Sequence, residues 1–172
     1  MMTLALKKMS NSQVERPILF NGEMVRKILN GDKTQTRRII KKFTSSTSAA
    51  DCPFGKPGDL LWVRETFSRQ EHPAGYPQDS QYLYRATQDD AGISWKPSIH
   101  MPRHAARIFL EITSIKLEYL NAINREDSSA EGCGSHADPI AAFQQLWCDV
   151  YGVQSWQENP MVWVVEFKIA YS

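Results

Sequence analysis

Residues 28–38 read Ile-Leu-Asn-Gly-Asp-Lys-Thr-Gln-Thr-Arg-Arg and join a short helix to a strand. Apolar side chains at helical spacing lead into this stretch from Asn21, a residue type that caps helices. Gly31 forms a helix stop, and the residues from Thr34 to Ile40 are rich in β-branched side chains. The pattern predicts a helix, a sharp turn and a strand, with Lys33 where the turn meets the strand.

The predicted strand alternates its side chains between two faces. Thr36 and Arg38 share one face, and Lys33 and Arg37 share the other. A twist beside Gly31 would bring Lys33 round to Thr36, where a buried lysine with a lowered pKa could take the hydroxyl proton, as in serine–lysine hydrolases. The alternative is that the cations are ordinary exposed side chains and that Thr36 only favours the strand. The Gly-x-x-x-x-Gly-Lys-Ser/Thr order of a nucleotide-triphosphate loop is absent, which excludes that site.

Four further stretches carry strand patterns. Leu60–Glu65 and Tyr82–Ala86 are short runs of strand-forming residues. In residues 107–118 the alternation changes phase near Ser114, which predicts a bulge. Residues 161–169 are strongly apolar and β-branched, which predicts a central strand.

One longer segment, Pro139–Tyr151, places its apolar side chains at helical spacing and predicts an amphipathic helix. A polar segment at 125–131 precedes it. Residues 1–15 show no periodicity and are expected to form a flexible N-terminal tail. Residues 16–172 are expected to form a single α+β domain of about five or six strands and two or three helices, with loop insertions near 43–57 and 66–106.

The composition fits one globular domain. The chain has 172 residues, of which 42% are hydrophobic and 23% are charged. No apolar run approaches the roughly 18 residues of a membrane span, and the first residues lack the pattern of a secretory signal. We therefore expect a cytoplasmic protein with no membrane partner. The chain has no Cys-x-x-Cys pair, so we expect reduced thiols at its cysteines, Cys52, Cys133 and Cys148.

The small net charge of +1 hides an uneven distribution. Residues 16–42 contain eight Lys and Arg residues but only two acidic residues, whereas residues 111–172 contain nine acidic and three basic residues. This pattern predicts an electrically polarised molecule with a basic face that could attract phosphates or a nucleic-acid strand. The alternative is a solvated charged surface without a partner.

The segment at 28–38 resembles the signature of the ASCH domain family, Gly-x-Lys-x-x-(Glu/Thr)-x-Arg. Three further stretches, residues 56–65, 95–103 and 163–168, resemble the phage- and prophage-encoded branch of that family. The resemblance covers roughly residues 16–170 and implies a small PUA-like β-barrel with flanking helices, in a superfamily dominated by RNA binders and nucleotide modifiers. The residues that match the signature in order are Gly31, Lys33, Thr36 and Arg38.

Some small ASCH proteins are amidohydrolases that remove the acetyl group from 4-acetylcytidine, and the resemblance implies this activity and its site. Thr36 would be the nucleophile, Lys33 its base and later acid, and Glu131 the carboxylate that positions or polarises the lysine. Glu126 is the alternative carboxylate. Insertions near 43–57, 66–106 and 132–138 distinguish this chain from the minimal amidohydrolases and leave the substrate open.

Several further side chains could hold a nucleoside or an RNA strand, since aromatic and guanidinium planes stack on unpaired bases and cations bind phosphates. The alternative to a binding role is a core position for Trp62 and a structural ion pair for Glu65. No cofactor is implied, and His100 with His104, like Cys133 with His136, lacks the further ligands of a metal site. The candidate substrate- or RNA-binding residues are Arg37, Arg38, Trp62, Arg64, Glu65, Trp95 and Lys96.

The expected partner is thus a modified nucleoside or RNA. The competing interpretation is a noncatalytic or nuclease-like RNA-binding module, in which Lys33, Arg37 and Arg38 hold a strand by exposed, fully charged side chains. A third interpretation is an accessory protein that works through contacts with proteins of unknown identity.

Overall fold

The computed structural model describes residues 13–70, 81–88 and 92–172. These residues form an α+β fold in which the predicted helix, turn and strand around residues 28–38 are present. The strands are β1 Glu15–Leu19, β2 Gln35–Ile39, β3 Leu60–Arg64, β4 Phe67–Gln70, β5 Gln81–Tyr84, β6 Phe109–Tyr119 and β7 Met161–Tyr171, and the helices are α1 Gly22–Leu29, α2 Arg125–Ala130, α3 Pro139–Tyr151 and α4 Val153–Glu158.

Five of the strands form one sheet in the order β1-β3-β6-β7-β2. β1 runs parallel to β3, and the other neighbours are antiparallel. β7 lies inside the sheet, which confirms the predicted central strand. The pairing of β6 with β7 shifts register between Ile112 and Ser114, which confirms the predicted bulge.

The expected β-barrel is wrong, because the sheet is open. Its edge strands, β1 and β2, exchange no backbone hydrogen bonds in the described part of the chain. Instead the guanidinium of Arg38 on β2 donates from Nη2 to the carbonyl of Leu19 on β1 at 3.0 Å. A side chain therefore spans the gap that a further pair of ladder hydrogen bonds would have to close.

Alternate residues of β7 contact two separate hydrophobic clusters. Trp163, Val165 and Phe167 pack in the cluster that also contains α1, whereas Val162 and Val164 pack with Phe143 and Trp147 of α3. Trp147 and Trp163 are both buried. The sheet is thus covered by α1 on one face and by α3 on the other. The residues of α1 and α3 that are fully or nearly buried there are Val25, Ile28, Phe143 and Trp147.

Some strands and one helix were not predicted from the sequence. β1 begins at Glu15, the last residue of the predicted tail, and residues 1–12 of that tail lie outside the described residues. β4 pairs with β5 in a separate two-stranded sheet inside the expected insertion at 66–106, of which residues 71–80 and 89–91 also lie outside the description. With α4, the described residues contain four α-helices, where two or three were expected. None of these helices combines the length and the apolar character required to cross a bilayer.

Candidate functional site

The turn after α1 sets the position of Lys33. Gly31 has a φ of 82°, a left-handed conformation that glycine adopts without a steric cost. The carbonyl of Lys27 accepts from the backbone N–H of Asp32 at 2.8 Å and of Lys33 at 3.1 Å, so the chain leaves the helix in a tight turn. Lys33 then forms an isolated antiparallel bridge with Glu131, the residue that follows α2.

Lys33 is buried with all its side-chain hydrogen bonds made. The residue is 2% exposed. Nζ donates to the carboxylate Oε2 of Glu131 at 2.7 Å, to the carbonyl of Glu131 at 3.0 Å and to the carbonyl of Gln35 at 2.7 Å. Burial lowers the pKa of Lys33 below its ordinary value, and the Glu131 carboxylate opposes this shift without cancelling it. A sequestered lysine with a lowered pKa can exchange protons with a neighbouring group.

Arg37 is buried as well, at 1% exposed. Its Nη1 donates to Oε1 of Glu131 at 3.1 Å, so one carboxylate bridges Arg37 and Lys33. Its Nη2 lies 3.2 Å from a carboxylate oxygen of Asp127 and also contacts the carboxylate of Glu118. The interpretation of Arg37 as an exposed cation that holds a nucleic-acid strand is therefore wrong, because acidic side chains enclose its guanidinium.

The pKa of Asp127, an acidic member of this cluster, is affected by the neighbouring Arg37. Burial alone raises the pKa of the Asp127 carboxyl, but the amide of Gln35, which donates to it at 3.1 Å, and the guanidinium of Arg37 outweigh burial and leave that pKa below its ordinary value. The basic segment and the acidic segment of the sequence thus meet in one buried cluster. Lys33 and Arg37 consequently contribute nothing to the basic face that the charge distribution predicts.

Thr36 and Arg38 lie on the opposite face of β2, as the alternation predicts. Oγ1 of Thr36 accepts a hydrogen bond from Nη1 of Arg38 at 2.6 Å. The Arg38 guanidinium also lies over the ring of Phe20, 5.2 Å from its centre. Within the described residues no hydrogen bond joins Lys33 to Thr36, because Lys33 directs its donors to Gln35 and Glu131.

A cleft of about 390 Å³ opens at the gap between the two edge strands of the sheet. Glu131 and the β2 residues Thr36, Arg37 and Arg38 line one part of it, and α3 supplies an apolar wall. The sequence pattern predicted this amphipathic helix but did not place it at the site. Val150 and Tyr151 at its end are 53% and 39% exposed, so the apolar side chains of this helix extend beyond the core. The wall consists of Phe143, Leu146, Trp147, Val150 and Tyr151.

The structure also separates the two candidate carboxylates. Glu131 is 3% exposed and contacts Lys33 directly. Glu126 is exposed and lines a different depression, beside Asp127 and Glu166. Of the two, the structure brings only Glu131 to the lysine.

Other predicted binding residues lie outside the cleft. Glu65 is fully buried and accepts from Arg107 at 2.9 and 3.0 Å, so it forms a structural ion pair. Arg64 lies over the ring of Trp62, 5.5 Å from its centre, and donates to the carbonyl of Ile99.

Lys96 pairs through its backbone with Phe67, and Trp95 lines a separate polar groove. No three His, Cys, Asp or Glu side chains are placed to share a metal ion in the described ranges. Of the ten predicted site residues, the cleft gathers Thr36, Arg37, Arg38 and Glu131, with Lys33 hydrogen-bonded to the last of these.

Comparison with known proteins identifies the fold. The chain is similar to an ASCH domain structure from Lactobacillus crispatus JV V101, with a TM-score of 0.53 and 15% sequence identity over 92% of this chain and 81% of that chain. This likeness shows an ASCH-like fold, as the sequence resemblance implies.

Two other structures match with lower TM-scores. A DUF984-family protein, EF3133 of Enterococcus faecalis V583, has a TM-score of 0.45 at 12% identity and covers 92% of this chain and 81% of that chain. The hypothetical protein PH0355 has a TM-score of 0.47 at 11% identity and covers 91% of this chain and 99% of that chain. No family model matches the sequence, and no curated protein matches it.

Proposed function

We propose that the protein is an amidohydrolase that removes the acyl group from an acylated pyrimidine nucleoside such as 4-acetylcytidine. The observation that carries the proposal is the carboxylate of Glu131, which binds the buried Lys33 at 2.7 Å and the buried Arg37 at 3.1 Å, beside a cleft that both Glu131 and Thr36 line. A nucleophile, a lysine with a lowered pKa and a carboxylate that orients it are the parts that amide hydrolysis requires.

The size and lining of the cleft support a nucleoside substrate. About 390 Å³ is within the range of small-molecule sites, which are mostly apolar with a few polar groups that fix the orientation of the ligand. The aromatic side chains of α3, among them Tyr151, offer a surface against which a flat pyrimidine ring can pack. The amide would then face Thr36 and Arg38.

The reaction follows in two steps. Lys33 in its neutral form exchanges its hydrogen bond to the carbonyl of Gln35 for one to Thr36 and takes the hydroxyl proton as Oγ1 attacks the acyl carbon. The carbon–nitrogen bond breaks, Lys33 returns that proton to the departing amine, and the acyl group remains as an ester of Thr36. Water then attacks the ester and loses a proton to Lys33, which passes it to Oγ1 as the carboxylic acid leaves.

Arg38 supplies the positive charge that the reaction needs at the acyl oxygen. Its Nη1 lies 2.6 Å from the Thr36 oxygen, so the guanidinium is next to the position where the negative charge develops. Glu131 and Arg37 have a different role. Arg37 binds one oxygen of the Glu131 carboxylate and Lys33 binds the other, so the arginine orients the carboxylate and the carboxylate orients the lysine.

The burial of Lys33 and Arg37 argues against the competing module that binds RNA by exposed cations. A phosphate backbone is bound by solvent-exposed, fully charged side chains, with a steep dependence on salt. Neither residue is more than 2% exposed, and both already bind the Glu131 carboxylate.

The test is the release of cytidine from 4-acetylcytidine by the purified protein. We expect turnover in the unmodified chain, none with Thr36→Ala, and a loss of about 10²–10⁴-fold with Lys33→Met. Because the pKa of Lys33 is lowered, kcat/KM should rise with pH along a limb that lies below the ordinary range of lysine.

Matched variants separate chemistry from folding. Thr36→Ser keeps a hydroxyl and should retain measurable turnover, and Thr34→Ala removes an exposed hydroxyl from the adjoining segment and should leave turnover unchanged. Absence of turnover in the unmodified chain at high enzyme concentration, with a folded protein, would overturn the proposal for this substrate. Full activity of Thr36→Ala would overturn the assigned site.

A further inference from the structure

A polar groove of about 500 Å³ lies next to the cleft. Asn21, the residue that caps α1, lines both depressions, so the cleft and the groove adjoin at this residue. We call this second depression the side groove. The residues that define it here are Asn21, Glu23, Arg26, Arg85 and Trp95.

The side groove carries net positive charge. Glu23 is its acidic residue, and Lys27 holds the Glu23 carboxylate at 2.6 Å. Arg26 uses Nη1 for a hydrogen bond to the carbonyl of Ala86 at 3.2 Å, and the described residues leave the rest of its guanidinium available. The exposed guanidinium of Arg85 forms no hydrogen bond or ion pair with any described residue. Two available guanidinium groups in one depression are suited to a phosphate.

Trp95 adds an aromatic surface to this charge. The residue is only partly buried, and within the described ranges its ring contacts no other aromatic ring and its Nε1 has no hydrogen-bond partner. A tryptophan face beside cationic side chains is the arrangement on which an unpaired base stacks while its phosphate is neutralised.

We infer that the side groove binds the nucleotide adjacent to the acylated one in a single-stranded oligonucleotide. The linking phosphate lies at Arg26 and Arg85, and the neighbouring base stacks on Trp95. This inference rests on the proposed function, since it places the acylated base in the cleft. It specifies the substrate class as an acylated pyrimidine within a strand rather than a free nucleoside.

Binding of a fluorescein-labelled strand of ten cytidines, followed by anisotropy at several salt concentrations, tests the inference. We expect Trp95→Ala to weaken binding on the order of tenfold, because one stacking contact is lost. Arg85→Ala should weaken binding and reduce the slope of log K against log salt by about 0.7, because one phosphate contact is lost. Lys168→Ala removes an exposed cation outside the side groove and should change neither the affinity nor the slope.

Three results would overturn the inference: no binding of the strand, equal affinity for cytidine monophosphate and the strand, or binding that neither Trp95→Ala nor Arg85→Ala weakens. Both substituted side chains lie at the surface, and thermal melting checks that the variants fold. Failure of the proposed function gives a different result. In that case 4-acetylcytidine is not hydrolysed, while the strand still binds and Trp95→Ala still weakens it.

Discussion

Replacement of Glu131 by Gln tests the buried cluster most directly, because it removes one charge and almost no volume. In the native cluster Oε1 accepts from Arg37 at 3.1 Å and Oε2 from Lys33 at 2.7 Å. A glutamine has one acceptor oxygen in place of two. A guanidinium keeps its charge more firmly than an amine does, so the amide oxygen turns to Arg37 and the amide nitrogen turns to Lys33. Two donors then face each other unless Lys33 loses its proton.

We expect Glu131→Gln to lower the free energy of unfolding by about 3–5 kcal/mol at pH 6, the usual cost of removing one partner from a buried ion pair. A domain whose stability lies well above the lower end of the usual range, about 5–15 kcal/mol, remains folded after this loss. The two cations that lose their partner are 2% and 1% exposed, so water does not replace the carboxylate. Urea unfolding monitored by tryptophan fluorescence measures the difference.

The penalty should depend on pH in a defined direction. In the unfolded chain Lys33 binds a proton below a pH of about 10.4, whereas in the folded variant its pKa is lowered by burial and no longer supported by the carboxylate. The unfolded state therefore binds more protons, and stability rises with pH by up to about 1.4 kcal/mol per unit. The native protein has the same sign but a smaller slope, because Glu131 raises the pKa of Lys33. The penalty should thus be smaller at pH 9 than at pH 6.

A double variant completes the test. The double variant Lys33→Met with Glu131→Gln removes the amine that has lost its partner. The decrease in the free energy of unfolding should therefore be smaller than the sum of the decreases in the two single variants. A penalty for Glu131→Gln below about 1 kcal/mol, independent of pH, is what an exposed pair would give and would refute the reasoning.

Three other predictions concern the elements that hold the site. Asn21→Ala removes the acceptor for a first-turn backbone N–H at 2.8 Å and should cost about 1 kcal/mol in urea unfolding; an unchanged midpoint contradicts the cap. Gly132→Ala should cost about 1–3 kcal/mol, because φ is 95° and the new Cβ would lie 2.8 Å from Cδ of Lys27. Gly31→Ala is the control: its φ of 82° is also left-handed, but the new Cβ would meet no atom within 4 Å apart from the adjacent residues. The loss of stability in this variant therefore measures the backbone strain alone. The pKa of Asp127 in the folded protein lies below its ordinary value. Its contribution to the free energy of unfolding is therefore present above about pH 4 and is lost as the pH falls through the folded pKa. Asp127→Asn should reduce the loss of stability that is measured between about pH 6 and pH 3.

Local patterns predicted the elements that neighbouring residues determine. The cap at Asn21, the stop at Gly31, the bulge near Ser114 and the helix Pro139–Tyr151 all appear where the sequence places them. Each depends on hydrogen bonds or apolar periodicity within a few residues. β1 and β4 were missed because they are short and polar at many positions, and each is stabilised by a partner strand.

The alternation along β2 determined from sequence alone which side chains share a face, and it paired Thr36 with Arg38 and Lys33 with Arg37. Only the tertiary structure decided that the second face is buried against acidic side chains from α2 and β6, because these residues are 81 to 98 positions away in the chain. The same long-range packing left the sheet open between β1 and β2 and placed α3 beside the gap. A buried charge is stable only when its partners arrive from elsewhere in the fold, so local sequence determines the side of the strand and the tertiary structure determines its environment.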